Sequence, residues 1–449
     1  MKDQPRAWLI QPPVYDFALY DHFLKPYGLY RLGRLLADSG WEIRILNCLD
    51  HRLSPESPPP RRRNDGTGKF LKTPAVFPPP LLKNIQRRYS RYGIPPEVMR
   101  RRLGEFRPDF CFITTGMTYW YPGVREAAAA VRGLYPGIPL IAGGIYGSLL
   151  PEHCLEVCGI DFVFPSPDRK TPGPPGEDPV FAELGAFLRS RGFPFPAAPP
   201  ADLNPFSQAE LWNGAGVIRL NRGCPFNCAY CASRRLNGGF TPGNPEAAWE
   251  SLEELARGGI RRWAFYDDAL LYRKEEILFP LLEKVVSLKR NWTFYTPNGV
   301  HIRGLDREAA LLMRRAGFGE VRFGFESSLP AFHRAYDEKW EGDEFAHAME
   351  NCLAAGFEPQ NLRAYILAGL PGQRAEEAAA SAAWVKRAGL AVSVAEFSPV
   401  PGSPLWDLCA ARSDLPLKEE PLYQNNCFFP MESEIFTAGD LRRLKQSLN

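Results

Sequence analysis

Two rhythms of apolar and polar positions divide this chain of 449 residues. In the first, short apolar runs alternate with helical periodicity. Ala7-Trp8-Leu9-Ile10-Gln11-Pro12-Pro13 reads as a buried strand stopped by a proline pair. Tyr27, Leu29, Tyr30, Leu32, Leu35 and Leu36 give the apolar face of a helix closed by Ser39-Gly40. Residues 41–46, 109–115, 138–144 and 161–164 read as four more strands, and 123–134 as a helix. The β-α-β spacing predicts parallel strands joined by right-handed crossovers. Residues 1–167 should thus form a doubly wound, Rossmann-like α/β domain, with its ligand crevice beyond the carboxyl ends of the strands.

The second rhythm begins at Gly216. Strands at 217–220, 262–266, 292–296, 321–326, 363–368 and 392–397 alternate with helices at 245–257, 274–288, 306–316, 345–355 and 375–388. Six strand–helix units predict a partial, open (β/α) TIM-like barrel over 206–408, with polar and glycine residues gathered where barrel sites are built. Two proline-rich tracts break the pattern. Residues 54–80 interrupt the first domain and carry Arg61-Arg62-Arg63, expected as solvated loop charge. Residues 168–205 read as a linker around one helix at 179–189. Residues 409–449 read as a short tail with a helix at 438–448, expected to close one end of the barrel.

Composition narrows the classes. Hydrophobic residues at 45% and charged residues at 23% are ordinary for a globular protein, and a net charge of +3 is too mild to argue for nucleic acid. No apolar run of about 18 residues suggests a membrane span. The apolar stretch near Met1 is too short for a signal peptide, so a cytoplasmic home is expected.

Three of the ten cysteines fall in Asn221-Arg222-Gly223-Cys224-Pro225-Phe226-Asn227-Cys228-Ala229-Tyr230-Cys231. Random placement of the cysteines would give this C-x3-C-x2-C spacing about 0.005 times. Such a run of thiols suits an iron–sulfur cluster or zinc. Structural zinc takes four protein ligands, usually in two pairs, and no second pair lies near. His301, His333 and His347 are isolated and read as surface or core histidines. Packing alone is a weaker account, because three neighbouring thiols are an oxidation liability. Three thiolates rather than four suggest a cubane with one open iron. Most of the other cysteines read as buried small hydrophobes in a reducing compartment, and Asn425-Asn426-Cys427 reads as a buried cysteine, with a side chain offered to the site as the alternative.

This motif, after the first strand of six βα units, resembles the radical S-adenosylmethionine superfamily over about residues 216–406, and Tyr230 fits the same pattern. The resemblance implies that Cys224, Cys228 and Cys231 hold a 4Fe–4S cluster whose open iron is chelated by S-adenosylmethionine. One electron would then break the sulfonium bond and give a 5′-deoxyadenosyl radical that abstracts a substrate hydrogen. It further implies cofactor contacts at the ends of later strands. Asp267 and Asp268 stand where relatives carry Gly-Gly-Glu, with a helix cap as the plain alternative. Asn298 ends the third strand, Glu326 and Ser327 the fourth, and Gly369 and Gly372 lie in Gly369-Leu370-Pro371-Gly372 at the fifth. Many members carry Glu after that last glycine, where this chain has Gln373. Pro399-Val400-Pro401-Gly402 also recurs in relatives, and a rigid turn reads it equally well.

The front domain resembles the cobalamin-binding domains of class B radical enzymes. Gln11 and Pro12, the turn with Thr114, Met117 and Thr118, and the segment with Gly143, Gly144, Tyr146 and Ser148 match that layout. Small residues there would let a bulky ligand approach the backbone. The Asp-x-His-x-x-Gly motif is absent, so the implied cobalamin lacks a lower histidine; Tyr119, Trp120 and Tyr121 would cover the cobalt face or fill space. The implied function is cobalamin-dependent C-methylation of an unactivated carbon in a small-molecule or peptide substrate, with a flavodoxin- or ferredoxin-type electron donor. Two alternatives remain open. One is a radical oxidation, cyclisation or epimerisation with a front domain that does not bind cobalamin; the other is a cluster- or cobalamin-based sensor. A tRNA-modifying methylthiotransferase is disfavoured, since no further cysteine triad precedes the first and the tail is short.

Overall fold

The structure, a computed structural model, describes residues 4–63, 67–74, 85, 87–165, 177–200 and 214–448. Two compact units divide between Ala215 and Gly216.

The first unit is built on five parallel strands: β1 (Arg6–Gln11), β4 (Glu42–Asn47), β8 (Phe110–Thr115), β9 (Leu140–Gly144) and β10 (Phe162–Phe164). Their order is β10-β9-β8-β1-β4, the flavodoxin-like winding, with its switch point between β1 and β8. Ala7 to Ile10 are all buried, which explains a continuous apolar run where a one-faced strand would alternate. Leu29, Leu32, Leu35 and Leu36 of α1 (Tyr27–Asp38) pack on Ala7, Leu9, Phe110 and Phe112. The helix expected within a linker belongs to this same core. Phe181, Leu184 and Leu188 of the 179–190 helix join it, and Arg31 donates to buried Asp178 at 2.9 Å.

Shorter elements surround the sheet. Strands β2 (Val14–Asp16), β6 (Lys72–Pro74) and β7 (Ser90–Tyr92) form an antiparallel trio, and β3 (Tyr20–Asp21) pairs with β5 (Gly68–Lys69). Part of the 54–80 tract is therefore ordered, while 64–66 and 75–80 lie outside the described residues. Arg62 is not solvated charge. It donates to Asp21 at 2.8 Å, and that carboxylate is fully buried. Helices α2 (Pro96–Gly104), α3 (Tyr121–Leu134), α4 (Ile145–Leu149), α5 (Pro151–Cys158) and α6 (Pro179–Ser190) complete the unit.

The second unit carries strands β11 (Ala215–Ile218), β12 (Arg262–Phe265) and β13 (Thr293–Tyr295), then β14 (Val321–Glu326), β15 (Leu362–Ala368) and β16 (Ala391–Glu396). Parallel bridges Phe294↔Phe318 and Val300↔Phe323 join the two trios into one open row of six. After the short α7 (Ser233–Asn237), the crossovers include α8 (Pro245–Arg257), α9 (Leu278–Ser287) and α10 (Arg307–Ala316). Then come α11 (Pro330–Tyr336), α12 (Glu344–Ala354) and α13 (Ala375–Arg387). Helix α9 starts later than its periodicity predicts. Lys274 is drawn instead onto the Gly304 carbonyl (2.8 Å) and Asp306 (2.6 Å), and residues 270–277 are turns.

Alternation along the last three strands sorts two faces. Val321, Phe323, Phe325, Leu362, Ala364 and Ile366 are buried against the helices. Arg322, Arg363, Tyr365 and Ser393 share the other face by register, where Arg322 donates to Tyr365 at 2.8 Å. A half-barrel whose inner face is polar leaves its carboxyl end to a polar ligand. The tail packs beside that end, with Leu417 and Met431 joining Leu367, Leu370 and Phe397, and it carries α14 (Trp406–Arg412) and α15 (Ala438–Gln446).

Candidate active site

The cysteine loop leaves the carboxyl end of β11, and its root is fixed by Asp267. This buried carboxylate accepts from the backbone N–H of Leu220 (3.0 Å) and Asn221 (2.8 Å) and from Asn221 Nδ2 (3.1 Å). Burial raises its pKa to about 7 against the pull of those donors. Gly223 sits at φ +74°, and a Cβ there would come 2.4 Å from the Gly239 carbonyl, so no other residue fits. Phe226 stacks on His301 with centroids 4.0 Å apart. Further along, Ala229 N–H donates to the Tyr336 carbonyl at 2.7 Å.

Cys224 and Cys228 are buried, and Cys231 lies on an exposed residue whose sulfur accepts from Ser233 N–H at 3.4 Å. Burial raises all three thiols, Cys228 to about 12, while Lys339 pulls each of them down. By themselves they are thiols at neutral pH, and a metal centre is what would hold them as thiolates. Among the described residues, no three His, Cys, Asp or Glu side chains stand as a single-ion site. Zinc, with bonds near 2.3 Å, would draw its sulfurs to within about 4 Å of one another. A cubane instead takes each thiolate on its own iron, and the C-x3-C-x2-C spacing supplies three thiols from one loop.

Beneath the loop lies a bed made by residues 326–339. Tyr230 donates to Asp337 Oδ2 at 2.7 Å, and Asp337 Oδ1 meets His333 Nδ1 at 2.7 Å. His333 Nε2 in turn reaches the Ser327 carbonyl at 2.8 Å. Glu326 takes φ +62°, rare for a residue with a side chain, and pairs with Lys339 at 2.5 Å. Asp337 and Lys339 escape sequence reasoning because Asp337-Glu338-Lys339 reads as a solvated charge run. The available signal is Trp340, whose burial under the Phe325 carbonyl draws that run inward.

Other expected contacts distribute unevenly. Asp268 receives Ser233 Oγ (2.5 Å) and Asn237 Nδ2 (3.0 Å) on one oxygen and remains beside the thiols. Asp267 is turned back onto the loop root, so its carboxylate is spoken for. Asn298 is exposed, donating to the Asp267 carbonyl at 3.3 Å. Ser327 is buried, with Oγ accepting from Leu329 N–H at 3.1 Å ahead of α11. Gly369, at φ +95°, lies under the Phe429 ring, while a side chain at Gly372 would meet open space. Gln373 closes that turn by accepting from Gly369 and Leu370 N–H and donating to the Leu367 carbonyl.

In the first unit, Thr115 and Gly144 pair at the sheet's carboxyl edge, and Tyr146 N–H donates to the Gly116 carbonyl at 2.9 Å. Met117 and Ile145 follow these residues and are exposed by 42% and 36%, leaving an apolar edge. Gln11, Thr114, Gly143 and Ser148 are half-buried there, and Pro12 and Thr118 are buried. Tyr146 is a correction. It is fully buried, with its hydroxyl on His153 Nδ1 (2.6 Å) and near Cys158 Sγ (3.5 Å), because α4 turns it into the core. The glycines also have an internal reason. A Cβ on Gly143, Gly144 or Gly147 would press on Phe164 O, Thr115 O or Val163, respectively, rather than on a visitor. Trp120 donates to Asp16 at 2.7 Å and Tyr121 is buried, so both fill space.

Comparison with known proteins shows what the second unit is similar to. The profile of the radical SAM superfamily matches residues 218–385, from the last residue of β11 into α13. Residues 218–385 are thus similar to the radical SAM superfamily. Among curated proteins, an uncharacterised methyltransferase of Pyrococcus horikoshii is 28% identical over 206 residues, covering 44% of this chain and 42% of the relative. A ribosomal protein uS12 methylthiotransferase, RimO of Salinispora tropica, is 26% identical over 214 residues, covering 45% and 42%. The match thus spans less than half the length of either relative. The first unit lies outside the superfamily profile, and solved structures show where its fold recurs. The radical SAM methyltransferase TsrM of Kitasatospora setae, solved with tryptophan substrate and a SAM analogue, superposes with TM-score 0.66 at 16% identity, covering 98% of this chain and 89% of that one. With cobalamin and its cluster bound, TsrM gives TM-score 0.64 over 92% and 76% at 16% identity. The cobalamin-dependent radical enzyme OxsB gives 0.58 at 10% identity over 100% and 62%. At these identities the likeness is one of fold: a doubly wound domain followed by a partial radical SAM barrel.

Proposed function

We propose that this protein is a radical S-adenosylmethionine enzyme that uses cobalamin to methylate an unactivated carbon of a small-molecule or peptide substrate. The observation carrying the reading is three thiols at C-x3-C-x2-C spacing on a loop whose root is clamped by Asp267, in a chain that also carries a flavodoxin-ordered unit. TsrM, a methyltransferase solved with cobalamin and a cluster, shares both folds, and a curated relative is described as a methyltransferase.

When bound, the cluster, S-adenosylmethionine and cobalamin supply one-electron chemistry, hydrogen abstraction and a methyl group. The chain's own residues hold and shield. Cys224, Cys228 and Cys231 would ligate the cluster, and Asp267 keeps their loop in register. Asp268 places a carboxylate beside the thiols, suited to an ammonium group, while Glu326 already holds the Lys339 ammonium. Gly372 leaves backbone open at the fifth strand end, whereas the Phe429 ring covers Gly369. Met117 and Ile145 offer an apolar edge on which a corrin ring would rest. Electrons would come from a flavodoxin- or ferredoxin-type donor.

The internal packing of Gly143, Gly144 and Gly147 favours a second reading, in which the first unit binds substrate rather than cobalamin and the product is not methylated. One preparation separates the two. Protein reconstituted anaerobically with iron, sulfide and hydroxocobalamin should keep both cluster and corrin absorbance through gel filtration. With dithionite and S-adenosylmethionine it should release 5′-deoxyadenosine. Cys224→Ala, Cys228→Ala or Cys231→Ala should abolish that release and the bound iron. Retained iron in these variants would overturn the cluster assignment, and loss of corrin alone would favour the second reading.

A further inference from the structure

The bed beneath the cysteine loop holds a buried cation that ligation does not require. Lys339 Nζ lies 2.5 Å from Glu326 Oε1, with the two side chains only 12% and 11% exposed. The same ammonium stands 5.5 Å from the ring centre of Tyr230, which separates Cys228 from Cys231 in sequence. Lys339 N–H also donates to Asp337 Oδ1 at 3.1 Å, and Asp337 receives the Tyr230 hydroxyl. The cation is thus fixed to the cysteine loop at its head and at its backbone. Burial works against its charge, but Glu326 more than restores it, so Lys339 stays protonated. It is coupled electrostatically to Cys224, Cys228 and Cys231 alike.

A buried ion pair is a poor device for stability, since desolvation of both charges offsets their attraction. Here the pair is also mounted on a backbone strained at Glu326, φ +62°, a conformation that persists only where surroundings impose it. Both features suggest a purpose other than folding. Net charge nearby is one of the levers that set an iron–sulfur potential.

We propose that Lys339 and Glu326 are positioning residues of opposite sign that set the reduction potential of the cluster held by Cys224, Cys228 and Cys231. The proposal rests on the cluster reading above. A fixed cation stabilises the more negative, reduced cluster, and the adjacent carboxylate trims that effect. Removing the cation should lower the potential, removing the carboxylate should raise it, and removing both should nearly cancel.

The test is an EPR-monitored redox titration of the reconstituted full-length protein without S-adenosylmethionine. Lys339→Met should shift the reduced-to-oxidised ratio at a fixed potential by on the order of tenfold toward oxidised, about 59 mV for one electron. Glu326→Gln should shift it the other way. The double variant should lie between them, and Lys339→Arg, which keeps the charge, should match the wild type. A merely structural pair would not give opposite signs. Equal shifts in both single variants, or none in either, would overturn the proposal. So would loss of iron and sulfide in Lys339→Arg and Glu326→Gln together, which would make the pair a scaffold. If the wild type itself takes up no cluster, it is the cluster reading that fails.

Discussion

At the scale of single residues, Asp267 and His301 bend the pH dependence of stability in opposite directions. Asp267 titrates near pH 7 when folded and at its ordinary 3.8 when unfolded, because burial disfavours its charge. Between those values the folded state holds the extra proton, so stability falls as pH rises. His301 is held neutral by burial, with Lys339 adding to the effect, and its pKa drops from 6.5 to about 3. There the unfolded state holds the extra proton, and stability rises with pH up to about 6.5. In the wild type the two slopes oppose each other over most of the acid range. Asp267→Asn should leave the histidine slope, making denaturation midpoints climb from pH 4.5 to 6.5. His301→Phe, which keeps the stack on Phe226, should leave the carboxylate slope and make them fall. Urea midpoints measured across that range check both, and slopes of the same sign would show the assignments wrong. Neither residue's role is legible in sequence. The Asp-Asp pair suggests a ligand contact for Asp267, but donors from 46 residues earlier in the chain claim it.

Elements were legible where short-range signals agree. Helix α8 runs over Pro245–Arg257 as its periodicity predicts, because Asn244 caps it, Pro245 starts it and Gly258 ends it. Two-residue strands such as β3 and β5 carry no period, so the antiparallel flap around the 54–80 tract could not be read. The turn after β15 shows the same limit at higher resolution. Gln373 stands where the family resemblance implies Glu in many members, which raises the question of a lost ligand contact, yet its amide is used at both ends within the turn. Gln373→Glu keeps an acceptor for Gly369 and Leu370 but sets a carboxylate oxygen against the Leu367 carbonyl. It should cost about 1–3 kcal/mol at pH 7.5. The loss should shrink at pH 4.5, where a protonated Glu can donate to that carbonyl. Chemical denaturation at the two pH values checks this, and a loss that grows on acidification would exclude the account.

At the scale of the whole molecule, the proposed function would have the two units make separable demands on cofactors. Sequence announces the barrel's cofactor loudly, because three thiols at fixed spacing can be counted. Any ligand of the first unit would be announced only faintly, through small residues at strand ends. Those glycines turn out to serve backbone packing, which leaves the exposed pair Met117 and Ile145 as the stronger sign of a ligand edge. Two large apolar side chains left in water at the carboxyl edge of a doubly wound sheet give up burial energy that a flat apolar ligand would recover. Met117→Asp combined with Ile145→Asp should therefore abolish corrin absorbance retained through gel filtration. Both positions are exposed, so folding should be little affected and bound iron per chain should stay at the wild-type value. Cys228→Ala should do the reverse, losing iron while keeping corrin. Joint loss of both cofactors in either variant would mean that the units do not load independently. Undiminished corrin in the aspartate variant would move the ligand away from this edge.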